Sequence, residues 1–362
     1  MSVRLFLISL LSASLFLACH NQNHQKKETQ NAELKIRQLA DTIGFTQYPW
    51  QMDSLVSRMS KEDKIPSEDT YKMVICPHDD YSYAGGLYNK TLSGVKAKTI
   101  VMIGVAHKAK MFNLENKLVF DSFDAWKGTY GTIRISPIRQ KLLNILPPEI
   151  YQVHDSMMQI EHSLEAITPF LQKNIKDVEI IPILVPYFSF ENMEAFSDEL
   201  TMALREIMLE ENLLLGKDLA IVISNDAIHY GDSDWGGSNM APFGIDSAGT
   251  AKVIQKEMEI ISNCLEGNLN AEKIKRFNQY TVEEADFREY KWTWCGRYAV
   301  PFGLMVGNKL NNLIEQESLN GTCIDYRSSL HNLHIEVCDI GMGTTAPANQ
   351  RHWVGYVGMA YQ

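Results

Sequence analysis

Three histidines in this chain stand directly behind apolar runs, where side chains that do chemistry can be held still. His78 closes KMVICPH (72–78) and leads into DDYSYAGG, His107 closes KTIVMIGVAH (98–107), and LAIVISND (219–226) runs through Asp226 into His229. Imidazole near neutral pH binds metals through a bare nitrogen or relays protons, and a carboxylate three residues away can orient it or join it. Cys295, in KWTWCGRYAVPFGLMVG, lies near the start of an apolar helix, where backbone N–H groups favour the thiolate. The competing reading is a packed core cysteine. His20, His24, His331, His334 and His352 follow no such run, and His154 reads as a surface residue.

The runs that deliver these residues, with VEIIPILV (178–185), are continuous rather than alternating, as expected of strands covered on both faces. Between them lie helical segments: SYAGGLYNKTLSG, PIRQKLLNIL, IEHSLEAITPFLQKNI and FENMEAFSDELTMALREIMLEENLL. Strands alternating with helices predict an α/β fold with a mainly parallel central sheet and helices on both faces. Residues 117–136 read as a hairpin turning at Gly128 and Gly131, and CIDYRS and WVGYVGMAY near the end read as strands completing the sheet. In such sheets the ligand crevice lies outside the carboxyl ends of the strands. His78, His107 and His229 therefore converge on one rim.

With 362 residues, 45% hydrophobic and 22% charged, the chain can bury a substantial core, and no linker divides its body. A formal charge of −10 without a basic cluster excludes nucleic acid as a partner. The start, MSVRLFLISLLSASLFLAC, has a basic residue, Arg4, and an apolar run too short to span a bilayer comfortably. It resembles a bacterial lipoprotein signal, which makes Cys19 the acylated first residue of an exported, membrane-anchored lipoprotein of the envelope. The expected organisation is signal 1–19, a tether and leading helix 20–45, and a single α/β domain 46–362. Five other cysteines leave at least one unpaired within the chain, and pairing of Cys323 with Cys338 stays open.

Six ordered motifs resemble the Memo family, also called AmmeMemoRadiSam system protein B, from about Lys72 to the C-terminus. They are PHDDYSYAGG, IGVAHK, Glu161-His162-Ser163-Leu164-Glu165, SNDAIH, Cys295-Gly296-Arg297 and Val354-Gly355-Tyr356. Two departures stand out: Asp79 and Asp80 replace small residues after the first histidine, and Lys108 stands where a second histidine is common. The resemblance implies a three-layer sandwich related to the LigB-type extradiol dioxygenases. It also implies iron or copper held by His78, His107 and Cys295, with Asp226 and His229 lining the same pocket. Two imidazoles and a soft sulfur favour copper, zinc or iron over magnesium or calcium. On that reading His229 is the proton shuttle, and Glu161, His162 and Glu165 support the ligands from one helical face. Loading should weaken below about pH 6 as free imidazoles protonate. The expected activity is oxidoreduction of a small organic substrate; the alternatives are a metal-binding or peptide-binding protein without turnover, or zinc-dependent hydrolysis, although neither H-E-x-x-H nor G-x-S-x-G occurs.

Overall fold

The computed structural model describes residues 34–235, 238–331 and 333–362. Strands form at β1 Ile36–Arg37, β2 Met73–Cys76, β3 Thr99–Val105, β4 Leu118–Phe120, β5 Ala125–Gly128, β6 Gly131–Ile135 and β7 Tyr151–Val153. They continue at β8 Glu179–Val185, β9 Leu219–Ser224, β10 His229–Trp235, β11 Ser238–Met240, β12 Gly267–Asn268, β13 Asn320–Ser328 and β14 Trp353–Tyr361. The main path through the sheet is β1-β5-β6-β8-β3-β9-β2-β14-β10-β11. Its centre, β8-β3-β9-β2, is parallel throughout, while β14 joins β2 antiparallel and β13 and β10 pair antiparallel with β14.

Side chains of the central strands alternate between two cores. Met73 and Ile75 of β2, Val101 and Ile103 of β3, and Ile221 and Ile223 of β9 pack on one face. Val74, Ile100, Met102, Ala220 and Val222 pack on the other. The first core is closed by helices α6 Phe190–Glu211 and α9 Ala299–Glu315, the second by α2 Tyr81–Leu92 and α5 Thr168–Asn174. The continuous apolar runs are thus explained by burial on both sides, and the layers form the predicted three-layer arrangement. Register sets the rim: Cys76 is opposite Ser224 and Ile103 is opposite Ile223, so β2, β9 and β3 run out on the same side.

Two details differ from the sequence expectations. Within the expected 20–45 tether, Ile36–Arg37 pairs with Ala125–Trp126 and buries Arg37; the compact unit starts at Leu34, and its first helix is α1 Pro49–Arg58. The expected signal and Cys19 lie outside the described residues. The segment IEHSLEAITPFLQKNI is broken: α4 Asp155–Ile160 ends before Glu161, and α5 begins with Pro169 in its first turn. Glu161 accepts the Ser163 amide at 2.9 Å, a local bond that competes with helix, so Glu161 and Glu165 do not share a helical face. The residues from His229 onward form β10, which pairs with β14, His229 opposite Val354.

Cys76, Cys264, Cys295, Cys323 and Cys338 are free thiols, so Cys323 and Cys338 do not pair. Among the described residues no helix is long and apolar enough to cross a membrane.

Candidate metal centre

His78 Nε2 lies 3.4 Å from Cys295 Sγ, although 217 residues separate them in the chain. Donor atoms of His78, His107 and Cys295 all fall within 4.8 Å of one another, and so do those of Asp226, His229 and Cys295, and of His107, Glu161 and His162. Donors about 2.0–2.3 Å from one tetrahedral cation must themselves be roughly 3–4 Å apart, which the His78–Cys295 spacing meets. His78 and Cys295 are buried; His107 is the exposed member at the mouth.

The hydrogen bonds decide which ring nitrogens face inward. Ser224 Oγ donates to the Ser163 carbonyl at 2.6 Å, which commits its proton. It must therefore accept at 2.7 Å from His78 Nδ1–H, leaving Nε2 of His78 bare toward the sulfur. His107 Nδ1 donates to Glu161 Oε1 at 2.8 Å, and the His107 amide donates to Oε2 at 2.8 Å. Its Nε2 is likewise left as the free donor atom. A carboxylate or hydroxyl behind each imidazole is the arrangement that fixes a metal-binding tautomer.

Charge states follow from the surroundings. Burial works to raise the Glu161 carboxyl, but the His107 imidazole with its hydrogen bond, and then His162, draw it down to about 2. Burial, with the imidazoles of His107, His162 and His229, pushes His78 well below its usual range. His78 is therefore neutral and ready to bind at pH values where a free imidazole has begun to protonate, so the acid limb expected near pH 6 does not come from this ligand. Burial, and then the Asp226 charge, pushes the Cys295 thiol up, the opposite of the expectation from its place near a helix start. The helix begins only at Ala299, and the sulfur lies inside the core. A cation binding here must displace that proton itself.

Asp226 is turned to the centre. Its Oδ1 accepts the His78 amide at 2.9 Å, its Oδ2 is 3.3 Å from His78 Nε2, and its own amide donates to Cys295 Sγ at 3.1 Å. Burial and the nearby Asp79 raise its carboxyl well above the ordinary range. Of the two roles open to it, reaching the centre fits these contacts better than orienting His229. Desolvation and the imidazoles of His107, His352 and His162 push His229 down to about 3, so it is neutral at physiological pH.

A profile of the family described as Memo-like protein matches residues 45–343. The chain belongs to the Memo-like family. Curated relatives include MEMO1 family proteins of Pyrococcus furiosus, 24% identical over 255 residues covering 68% of this chain and 78% of the relative, and of Archaeoglobus fulgidus, 28% over 186 residues covering 51% and 64%. Another, from Thermotoga petrophila, is 28% identical over 204 residues, covering 51% of this chain and 68% of the relative.

Other residues of this Memo-like chain fall on either side of the sequence reading. His162 joins the cluster, its ring stacked on His107 with centroids 5.0 Å apart. Glu165 is directed away from the centre to the buried Arg37 guanidinium and to the amides of Ala40 and Asp41, where it anchors the leading segment. Asp79 accepts from the Tyr356 hydroxyl at 2.6 Å, and Asp80 accepts from the amide and hydroxyl of Thr345. Burial, and then Asp79, raises Asp80 to about 7. The two extra carboxylates thus brace the last third of the chain and supply no donor to the three clusters.

Missed by the sequence were Ser224, His352 and Glu257. Ser224 stands in SNDAIH, where its place at a strand end beside two ligand candidates was the available signal. His352 gives none, because only the β10–β14 pairing brings it near His229. Glu257 belongs to helix α7, Ser247–Ile260, and is fully buried. It accepts from Trp292 Nε1 at 2.6 Å, Trp294 Nε1 at 2.8 Å and the Ile228 amide at 3.0 Å, fixing the neighbours of Cys295 and His229.

Burial raises the Glu257 carboxyl from 4.5 to about 7 despite these donors. Between those values the unfolded chain has released the proton and the folded chain has not, so stability falls as pH rises from 4.5 to about 7 and is level above. Glu257→Gln removes this contribution: the difference in unfolding free energy between wild type and variant should change by about 3 kcal/mol across that window, read from urea midpoints at each pH.

Gly296 holds the Cys295 loop against the end of β9, its amide donating to Asn225 Oδ1 at 2.9 Å. A Cβ here would come 2.4 Å from that oxygen and 2.9 Å from Asn225 Cβ. Gly296→Ala should destabilise by about 1–3 kcal/mol in chemical denaturation and weaken metal binding together with it.

Proposed function

We propose that this protein binds iron or copper through His78, His107 and Cys295 and serves as a metal-dependent oxidoreductase acting on a small organic substrate. The observation that carries the reading is the convergence of a buried thiol and two imidazoles whose other nitrogens are already committed. A bound iron or copper ion would supply one-electron redox chemistry to a substrate in the adjoining cavity. The chain's residues do the rest. Glu161 and Ser224 hold the imidazoles in the binding tautomer, Asp226 offers a further carboxylate, and His229, held neutral, offers a further imidazole beside Asp226 and Cys295. His107 and Cys295 also line a small cavity, which gives a substrate access to the ligands. The donor set contains a soft sulfur and two imidazoles, which supports iron, copper or zinc over the hard cations.

Export with acylation at Cys19, and hence attachment to the envelope membrane, is part of the same proposal and rests on the leading sequence. Metabolic labelling with a fatty acid, lost in Cys19→Ala, tests it.

Elemental analysis and electron paramagnetic resonance of protein purified without added metal, followed by oxygen or peroxide assays with catechols, test the functional reading. About one equivalent of iron or copper and turnover supports it. Metal without turnover leaves a metal-binding protein; zinc alone, or a peptide bound independently of metal, replaces the redox reading.

A further inference from the structure

Two arginines are buried in the described interior, and they are treated differently. Arg37 is paired with the Glu165 carboxylate. Arg297, 4% exposed, makes no ion pair with any described residue, and its Nε is buried without a hydrogen-bond partner. Its Nη2 donates to the Arg288 carbonyl at 2.8 Å. Aromatic rings enclose the rest: the guanidinium carbon lies 3.4 Å from the Tyr290 ring centroid, 4.6 Å from that of Tyr298 and 5.8 Å from that of Tyr187. The nearby Arg288 already has Glu115 and Asp286 as partners.

A guanidinium stays charged under all ordinary conditions, so burial cannot be relieved by losing a proton. Ring faces offset part of its desolvation, but they supply no counter-charge and leave Nε–H without an acceptor. Arg297 lines a cavity of about 90 Å³ together with His107, Cys295, Tyr187, Tyr290 and Tyr298. The position follows from the chain: Arg297 is two residues beyond Cys295, on the turn closed by its amide to the Trp294 carbonyl at 3.2 Å.

We propose that Arg297 binds the carboxylate of a small carboxylic acid in this cavity and thereby sets the substrate class. The inference rests on reading the cavity as the substrate pocket beside the metal centre. A planar two-oxygen group matches the flat fork of a guanidinium held among tyrosine rings. With its carboxylate on Arg297, the remainder of the molecule extends over His107 and Cys295. The bound carboxylate then supplies the counter-charge that the guanidinium lacks among the described residues.

The full chain, metal-free and metal-loaded, is titrated with acetate, acetamide and inorganic phosphate by calorimetry and thermal shift, with metal affinity measured separately. Acetate should bind the metal-free wild type in preference to both others. Arg297→Gln should weaken acetate by at least about tenfold while metal affinity is unchanged. If that variant does not fold, the comparison of acetate with acetamide on wild type, and Arg297→Lys, carries the test. Equal binding of acetate and acetamide, preference for phosphate, or unchanged acetate binding in folded Arg297→Gln overturns the proposal. Acetate binding needs no metal, so failure of metal loading with acetate binding intact counts against the metal centre alone, and the converse counts against Arg297 alone.

Discussion

Cys295→Ser should reduce affinity for Cu(I) or Fe(II) by more than the roughly 10–100-fold that loss of an outer-shell partner costs, while the protein remains folded. Serine nearly matches the thiol in size and can still accept the Asp226 amide that now reaches Sγ at 3.1 Å, so the loop has no reason to rearrange. What disappears is a soft, ionisable donor. A hydroxyl is a far harder ligand and is not deprotonated as a thiol is, so the loss should be greatest for Cu(I). Burial holds the free thiol protonated, and wild-type loading should therefore release a proton and tighten as pH rises. Serine should flatten that dependence. Competition titrations at several pH values, with circular dichroism as a folding control, measure both effects; wild-type affinity in folded Cys295→Ser would remove the sulfur from the centre.

Glu161→Gln should weaken metal binding by about 10–100-fold and destabilise the protein as well. The carboxylate accepts three N–H groups, from His107 Nδ1, the His107 amide and the Ser163 amide. A side-chain amide presents a donor where one of those acceptors stood, so an N–H is set against an NH2 in a buried place, costing about 1–3 kcal/mol. The amide oxygen can keep His107 Nδ1 and the Ser163 amide at the Oε1 position, so the clash falls on the His107 amide, and the imidazole loses the charged acceptor behind it. The sign of the pH effect follows from the depressed carboxyl: folded Glu161 ionises at about 2 against an ordinary 4.5, so its contribution is present above 4.5 and is lost as pH falls toward 2. Wild type should lose stability through that window more steeply than Glu161→Gln in denaturation curves. Parallel curves would mean that Glu161 carries no such interaction.

Much of the centre was legible because a parallel sheet turns sequence order into geometry. Apolar runs ending in His78, His107 and Asp226 fall at one rim because neighbouring parallel strands end together. Cys295 is different: its run gives equal warrant to core packing, and only the family motif and its 3.4 Å approach to His78 Nε2 single it out. Glu165 shows the limit of periodicity. A spacing of four suggested one helical face with Glu161, but a local side-chain bond to Ser163 and a proline at the next helix start broke the helix, sending the two carboxylates to different partners. Glu257 and His352 were invisible because their contacts depend on a helix and a strand pairing distant in sequence. Arg297 belongs to the Cys295-Gly296-Arg297 motif, yet its missing counter-charge is a property of the folded interior alone.

X-ray absorption at the iron or copper edge, on protein purified without added metal, tests the central claim most directly. One sulfur and two imidazole nitrogens around the ion in wild type, with the sulfur signal gone in Cys295→Ser, is the predicted result. An ion surrounded by oxygen and nitrogen only, identical in both proteins, would contradict it.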